Sequence, residues 1–476
     1  MAKIAFVQNI AYEYLGVMYL SSMLKAGGHS VDVFIARGAG SGSLFDEVAA
    51  YKPDIIGFSC TTGAHLWAVK TAAALKTRLP RAVIVLGGAH PTFFPDVIGE
   101  PGVDVVCRGE GEYALRELAD RLDRGEGYHD IANLWVKRGA EVVRNDLRPL
   151  VEDLDSLPFP DRRLYPEKYR FLNKSQKAFI VGRGCPFACS YCFNHSLQQL
   201  YKGKGRYVRL RSAGNVLAEI GAVRAAGDFK VVYIQDDTFS LDERWASEFL
   251  ERYRREVGLP FICLVRADLL TEALVGRLKA AGCRNVFFGI ESGSPELRAL
   301  VLKKEMTDAE IIAGAALLKK YKIRFRTYNM FGLPGETLED AFKTVALNAR
   351  IGTDYPWSAL FQPFPGTELR EYARQKGLLE TEAMEFDASF FKNSHLKLKD
   401  KKEIENLQKL FFFAVKFPVL LPVIRMMVRV RLGPVYDALF LMGYMYSFRK
   451  SESITFRETM AIGMNNIRNF FFAKQG

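Results

Sequence analysis

At 476 residues the chain exceeds one ordinary domain, and two or three are expected. With 49% hydrophobic and 25% charged residues it has the composition of a globular protein, which excludes a disordered or fibrous chain. The net charge of +12 is uneven: residues 401–476 carry 12 Lys+Arg against 5 Asp+Glu, so nucleic acid, anionic lipid and an acidic substrate are the partner classes to weigh.

The start, MAKIAFVQNI, lacks the long apolar stretch and small-residue cleavage site of a signal peptide. Of seven cysteines, three lie within eight residues and four (Cys60, Cys107, Cys263, Cys283) are scattered in apolar runs. That is a poor disulfide framework, so a reducing cytoplasm is expected, and the scattered four read as small buried hydrophobes. Apolar strand-like runs at 3–10, 29–36, 54–60, 82–88 and 104–109 alternate with amphipathic helical patterns at 14–28, 66–80 and 112–125. The alternation predicts an α/β unit with a doubly wound parallel sheet over 1–140. Such sheets bind ligands outside the carboxyl ends of their strands, here loops 57–67, 87–95 and 108–112. The chemistry-bearing residues there are Thr61, Thr62, His65, Trp67, Gly87, Gly88, His90, Gly109 and Glu110. No Gly-x-Gly-x-x-Gly follows the first strand, so a dinucleotide site has little support.

Residues 141–175, with prolines and charges in no clear period, read as a linker. A second strand–helix series over 176–375 has strand candidates beginning near 177, 230, 260, 285, 323 and 355. Six units predict a partial (β/α)6 barrel with its chemistry at the strands' carboxyl ends. Residues 376–476 form a helical, apolar and basic region. Its stretch 409–450 is broken by Lys416, Pro418, Pro422, Arg425 and Asp437, so no run is long enough to span a bilayer. Helices of this kind either pack in a core or lie in a membrane interface. The Leu, Val, Met and Phe runs between the charges suit no phosphate groove, so no nucleic-acid partner is expected.

The sharpest signal is GRGCPFACSYCFN at 182–194, where Cys185, Cys189 and Cys192 share a loop directly after the first strand of the second series. Three soft thiolates on one loop select an iron–sulfur cluster or zinc, and a zinc site would need His195 as its fourth ligand. The spacing, with Tyr191 before the last cysteine, resembles the signature of the radical S-adenosylmethionine (SAM) superfamily. The resemblance implies a 4Fe–4S cluster held by Cys185, Cys189 and Cys192, with the open iron chelated by SAM. By the same resemblance Gln235, Asp236 and Asp237, then Arg266, then Glu291 and Ser292 lie where strand ends contact the methionine and ribose.

The N-terminal unit is similar to the cobalamin-binding domain fused to many of these enzymes, without the histidine segment that supplies a lower cobalt ligand in methionine-synthase-type domains. His65 and Trp67 are candidates near that face, with packing the stronger reading for His65. The chain is thus identified as resembling the cobalamin-dependent group that includes radical SAM C-methyltransferases and anaerobic magnesium-protoporphyrin IX monomethyl ester cyclases. The implied chemistry is reductive cleavage of SAM to a 5′-deoxyadenosyl radical that removes hydrogen from an unactivated carbon, followed by methyl transfer from methylcobalamin. Radical cyclisation or rearrangement of a lipid, isoprenoid or tetrapyrrole-like substrate is the alternative. Methylthiolation of tRNA fits poorly, since no second set of clustered cysteines is present, and a non-enzymatic sensor would cleave no SAM. Tyr328, on the fifth strand, is a candidate substrate-facing residue, with barrel packing an equal reading. A small-molecule, apolar substrate and a single-electron donor of the flavodoxin or ferredoxin kind are the implied partners. For residues 409–450 two readings stand side by side: peripheral association with the inner face of the membrane, and helices that cap the barrel and pack against the cobalamin-binding domain.

Overall fold

The computed structural model describes residues 1–36, 42–165, 168–169, 172, 175–381 and 390–467. The N-terminal unit runs β1 (Lys3–Gln8), α1 (Leu15–Ala26), β2 (Ser30–Ile35), α2 (Gly42–Tyr51), β3 (Ile55–Ser59), α3 (Ala64–Arg78), β4 (Val83–Gly87), α4 (Ala89–Phe93), β5 (Val105–Cys107) and α5 (Glu112–Asp123). Strands in the order β2-β1-β3-β4-β5 are all parallel. The two-residue period of a strand explains the double winding. Ile4 and Phe6 of β1 face α1 and α5, while Ala5 and Val7 face α2 and α3. Each wholly buried Ile, Leu or Phe of these layers contributes roughly 1.5–3 kcal/mol. A hairpin of β6 (Leu134–Arg138) and β7 (Glu141–Arg144) extends the sheet antiparallel beyond β5. These two strands are absent from the sequence reading, whose first unit stops at 140.

The stretch expected as a linker is packed rather than free. Tyr165 donates to Gln8 Oε1 (2.8 Å), and Asp161 holds Ser21 and Lys25 of α1 (both 2.7 Å). Arg162, next along, pairs with Glu219 of the second unit, so this segment staples the two units together.

The second unit contains β8 (Gln176–Phe179), β9 (Gly182–Arg183), α6 (Phe193–Leu200), β10 (Arg209–Leu210), α7 (Ala213–Ala226), β11 (Val231–Ile234), α8 (Glu243–Glu256), β12 (Phe261–Leu264), α9 (Glu272–Ala280), β13 (Cys283–Glu291), α10 (Asp308–Lys320), β14 (Arg324–Phe331), α11 (Leu338–Arg350), β15 (Tyr355–Leu360) and α12 (Glu368–Gln375). Strands β8-β11-β12-β13-β14-β15 are adjacent in that order and all parallel, which is the expected six-stranded open barrel. Helix starts are set locally: Thr307 with Glu310 and Thr337 with Asp340 form reciprocal capping boxes at α10 and α11. The barrel helices bury Ile220, Phe249, Leu274 and Ile311 against the outer face of the sheet.

The C-terminal helices are α13 (Lys401–Lys416), α14 (Leu421–Met427), α15 (Gly433–Glu452) and α16 (Phe456–Ile467). Helix α13 lies on β15 and α11, burying Leu407, Leu410 and Phe411 against Phe331, Phe342 and Leu360, and so covers one free edge of the open sheet. The last turn of α15 passes beneath the strands' amino ends. There Asn285 Nδ2 donates to the Ser451 carbonyl (2.6 Å) and Gln176 Nε2 to the Glu452 carbonyl (2.8 Å). Among the described residues no helix is long and apolar enough to cross a membrane.

Candidate active site

The cysteine loop leaves β8 through β9 and ends where Cys192 precedes the first turn of α6. Ser190 fixes it, donating its N–H to Leu302 (2.9 Å) and its Oγ–H to Val301 (2.7 Å), while its carbonyl accepts from Leu369 (2.8 Å). Cys185, Cys189 and Cys192 line a cavity of about 190 Å3 together with Tyr191, Asp237, Arg266, Glu291 and Tyr328. Burial lifts the Cys192 thiol to about 11 and raises Cys185 as well, so ligation of a metal centre here displaces protons from the sulfurs. His195 sits on α6 with Nε2 3.9 Å from Glu368, outside this cavity's wall, so the four-ligand zinc arrangement is not formed. Among the described residues no three His, Cys, Asp or Glu side chains converge on one point as a single ion requires. Three thiols that each bind a different iron of one cluster have no such need, and the donor set fits a 4Fe–4S cluster.

Around the cysteines the geometry is built from strand ends. Glu291 closes β13 with φ of 67° beside a register slip between Gly289 and Glu291. This left-handed backbone turns its carboxylate inward, where Oε1 accepts from Tyr191 (3.2 Å) and Lys304 (3.1 Å). Burial, then the Glu291 charge, push the Tyr191 phenol well above its ordinary range, so it stays a neutral donor. Arg266 grips Asp268 (2.7 and 3.1 Å) and stacks on Phe187 at 3.6 Å, leaving a cationic plane over the cysteine loop. Lys304, Asn194, Phe187 and Thr238 also line the cavity, and the sequence reading had missed them. Of these, Phe187 and Asn194 lie inside the 182–194 motif and so had a signal that could have found them. Ser292 is fully buried and outside the cavity wall; its Oγ accepts from the Ser294 N–H.

A second cavity, of about 530 Å3, lies between the two units. Gly87, Gly88, Gly109 and Glu110 line it from the N-terminal sheet, and Gly182, Arg183, Tyr201, Tyr207, Arg209 and Gln235–Asp237 from the barrel. At Gly88 (φ 95°, ψ −166°) a Cβ would stand 2.8 Å from the Cys60 carbonyl oxygen, and at Gly109 (φ 70°) it would stand 1.8 Å from the Tyr201 hydroxyl. Positive φ and these close neighbours favour glycine at both places, and both residues present backbone rather than a side chain in the cavity wall. A corrin ring fits such a slot between two glycine-lined walls.

Glu110 also ties the units together: it accepts from Arg183 (3.0 Å), from Arg209 (2.8 and 3.1 Å) and from the Val151 N–H (3.0 Å). Burial alone would raise its carboxyl, but the Arg209 hydrogen bonds and the Arg183 charge outweigh burial and hold it below the usual carboxylate range. Asp236 goes the other way: burial lifts it to about 7, although it accepts from the Gly182 (3.0 Å) and Val181 (3.3 Å) N–H groups.

Thr61, Thr62, His65, Trp67 and His90 stand outside this wall. The two imidazoles stack on each other at 3.7 Å, with Nδ1 of His65 accepting from the Gly63 N–H and Nδ1 of His90 paired with Thr62. Burial drives them down, His65 to about 4 and His90 to about 3, so both are neutral. Trp67 packs edge-on against Phe58. These residues shape the underside of the loops.

A three-cysteine loop after the first strand of a six-stranded partial barrel, set against a doubly wound unit, marks a radical SAM enzyme with a second cofactor domain. The comparisons agree: the Radical SAM superfamily matches residues 179–347 and the B12 binding domain residues 9–119. An uncharacterized methyltransferase of Pyrococcus horikoshii is 31% identical over 375 residues, which cover 77% of this chain and 80% of the relative. The anaerobic magnesium-protoporphyrin IX monomethyl ester cyclase of Rubrivivax gelatinosus is 29% identical over 370 residues, 74% of this chain and 65% of that protein. Among solved structures, the cobalamin-dependent SAM radical enzyme OxsB superposes with a TM-score of 0.69 at 18% identity, covering 94% of this chain and 72% of that one. The radical SAM methyltransferase TsrM of Kitasatospora setae gives 0.65 at 19% identity, covering 80% and 77%. The chain belongs to the cobalamin-dependent radical SAM family, and its cofactors are a 4Fe–4S cluster, SAM and cobalamin.

Proposed function

We propose that the chain is a C-methyltransferase acting on an unactivated carbon of an apolar small molecule, with reducing electrons from a flavodoxin- or ferredoxin-type donor. The observation that carries this reading is the adjacency of the two cofactor cavities, which share Asn194 and Asp237 as a common wall. When bound, the cluster with SAM supplies an organic radical and the cobalamin a methyl group. The chain's own residues then bind and orient. Cys185, Cys189 and Cys192 hold the cluster, Glu291 with Tyr191 and Lys304 receives the polar groups of SAM, and the glycine-lined slot seats the corrin. Similarity to the Rubrivivax cyclase keeps ring closure without methyl transfer as the second reading.

An anaerobic assay separates the two. Reconstituted protein with cobalamin, reductant, SAM and candidate apolar acceptors, isoprenoid and tetrapyrrole esters among them, is followed for 5′-deoxyadenosine and S-adenosylhomocysteine. Methyl transfer gives both products one to one with methylated acceptor, and the Cys185→Ala, Cys189→Ala, Cys192→Ala triple variant loses deoxyadenosine entirely. Deoxyadenosine with an altered acceptor and no homocysteine product establishes cyclisation instead.

The outer surface supports an apolar substrate met at a membrane. Val419, Met426 and Met442 are 83%, 65% and 62% exposed on the C-terminal helices, interleaved with exposed Arg425, Arg429 and Arg431. Apolar side chains ringed by cations fit an anionic bilayer surface.

A further inference from the structure

The barrel lumen holds a cavity of about 280 Å3 that borders both cofactor sites. Gln235 belongs to its wall and to that of the interdomain slot, and Tyr328 to its wall and to that of the cysteine cavity. A molecule placed here borders both cofactor cavities, one through Gln235 and the other through Tyr328. Its walls are aromatic: Tyr12 comes from the N-terminal unit, Tyr233, Tyr328 and Trp357 from the strands, and Tyr444 and Phe448 from α15.

Two arginines line the same space. Arg326, 2% exposed, lies between Trp357 (4.5 Å) and Phe287 (4.2 Å). Its Nη1 donates to Glu452 Oε1 (2.8 Å) and its Nη2 to Ser451, but its Nε is buried with no partner. Arg162 Nε, in the same wall, is likewise buried and unpartnered. Buried donors without acceptors are rare because each costs about 1–3 kcal/mol. The local acceptors are committed: Glu452 Oε1 takes Arg326 and its Oε2 takes Gln176 (3.1 Å). The charged side chains of this wall are Arg326, Arg162, Glu452 and Glu13; Arg326 is held by Glu452, and Arg162 by Glu219, which stands outside the wall.

We propose that this cavity binds the substrate, and that the substrate's reacting end is a planar or aromatic apolar group carrying a single carboxylate, received by the guanidinium groups of Arg326 and Arg162, whose hydrogen-bonding capacity the protein leaves partly unused. The assignment rests on the two-cofactor radical reading and names the substrate class for it. Glu452 is a positioning residue: it holds the Arg326 fork from the last turn of α15 in the cavity wall.

Isothermal titration of the holoenzyme, with cluster and cobalamin in place, uses 2-naphthoate as the probe and 2-naphthylmethylamine as its cationic counterpart. We expect the carboxylate to bind at one site and the amine not to bind, and Arg326→Gln to weaken the carboxylate about tenfold to a hundredfold, the worth of one charge-assisted hydrogen bond. Where Arg326→Gln fails to fold, the Arg326→Gln, Glu452→Gln double variant, which strands neither charge, carries the same expectation, with iron and cobalamin content checked on the same sample. Equal binding of the amine, no binding of 2-naphthoate, or unchanged affinity in the double variant overturns the assignment. Deoxyadenosine formation by the same wild-type preparation is read separately. Its absence there removes the radical reading on which the proposal rests, whereas its presence beside failed probe binding removes the pocket assignment alone.

Discussion

Asp236 and Gly88 show how much a single position beside the interdomain slot is constrained. Asp236 has its folded-state pKa raised from the ordinary 3.8 to about 7 by burial, so the fold prefers its protonated form. Its contribution to stability is complete below pH 4 and is lost as pH rises through 7. Glu336, whose carboxylate accepts the Gly332 and Leu333 N–H groups, behaves alike because burial lifts it to about 8. Thermal stability therefore falls between pH 5 and 8, and Asp236→Asn, whose amide oxygen can keep both backbone bonds, flattens that slope. Melting temperatures of wild type and variant across this range check the point, and an unchanged slope would contradict it. Gly88 occupies a backbone region that is almost exclusively glycine's, at a strain of order 1–3 kcal/mol for any other residue. Gly88→Ala adds a clash with Cys60, so we expect lower thermal stability and less cobalamin retained through gel filtration.

At the scale of elements, five parallel strands of the first sheet and six of the barrel were legible because strands buried on both faces read as unbroken apolar runs. The hairpin β6–β7 was not: its apolar runs are only three and two residues long, Leu134–Val136 and Val142–Val143, and charged residues flank them at the sheet's end. The cysteine loop was legible because its three ligands are local in sequence. Lys304 and Arg326 were not, since their meaning comes from partners brought by folding, Glu291 for one and, 126 residues away, Glu452 for the other. For His65 packing was already the stronger reading, and the structure packs it against His90. Their loops do lead to the slot, but the two rings satisfy each other beneath it. Helix α15 has two faces: Tyr444, Phe448 and Glu452, four residues apart, line the lumen, while Val435, Met442 and Tyr446 face outward. Replacing outward residues tests the membrane reading without touching the lumen. Met426→Glu with Met442→Glu should abolish flotation with anionic vesicles while leaving the melting temperature within a few degrees. Flotation equal to wild type would exclude this face as the contact.

For the molecule as a whole, the two units are joined by charge as well as by apolar packing. Glu110 receives two arginines of the barrel's side hairpin, and Glu112 takes the second fork of Arg183 at 2.6 Å. Removing one partner of such a network strands the others, at a cost near 3 kcal/mol where the site is mostly buried. Glu110→Gln should therefore loosen the slot before it unfolds either unit. We expect a larger radius of gyration in solution and weaker cobalamin binding, with the cluster's absorption preserved. Unchanged scattering and cobalamin affinity would show that the apolar contacts suffice.

The superfamily match ends at residue 347, yet Trp357, Tyr444, Phe448 and Glu452 lie beyond it. The part of the chain that generates a radical is thus shared and recognisable, whereas the floor of the chamber that receives it is furnished by a stretch outside the family signature. Kinship in this protein is written at one end of the barrel and individuality at the other. Relatives that agree at every cysteine can still serve unlike molecules through a different final helix.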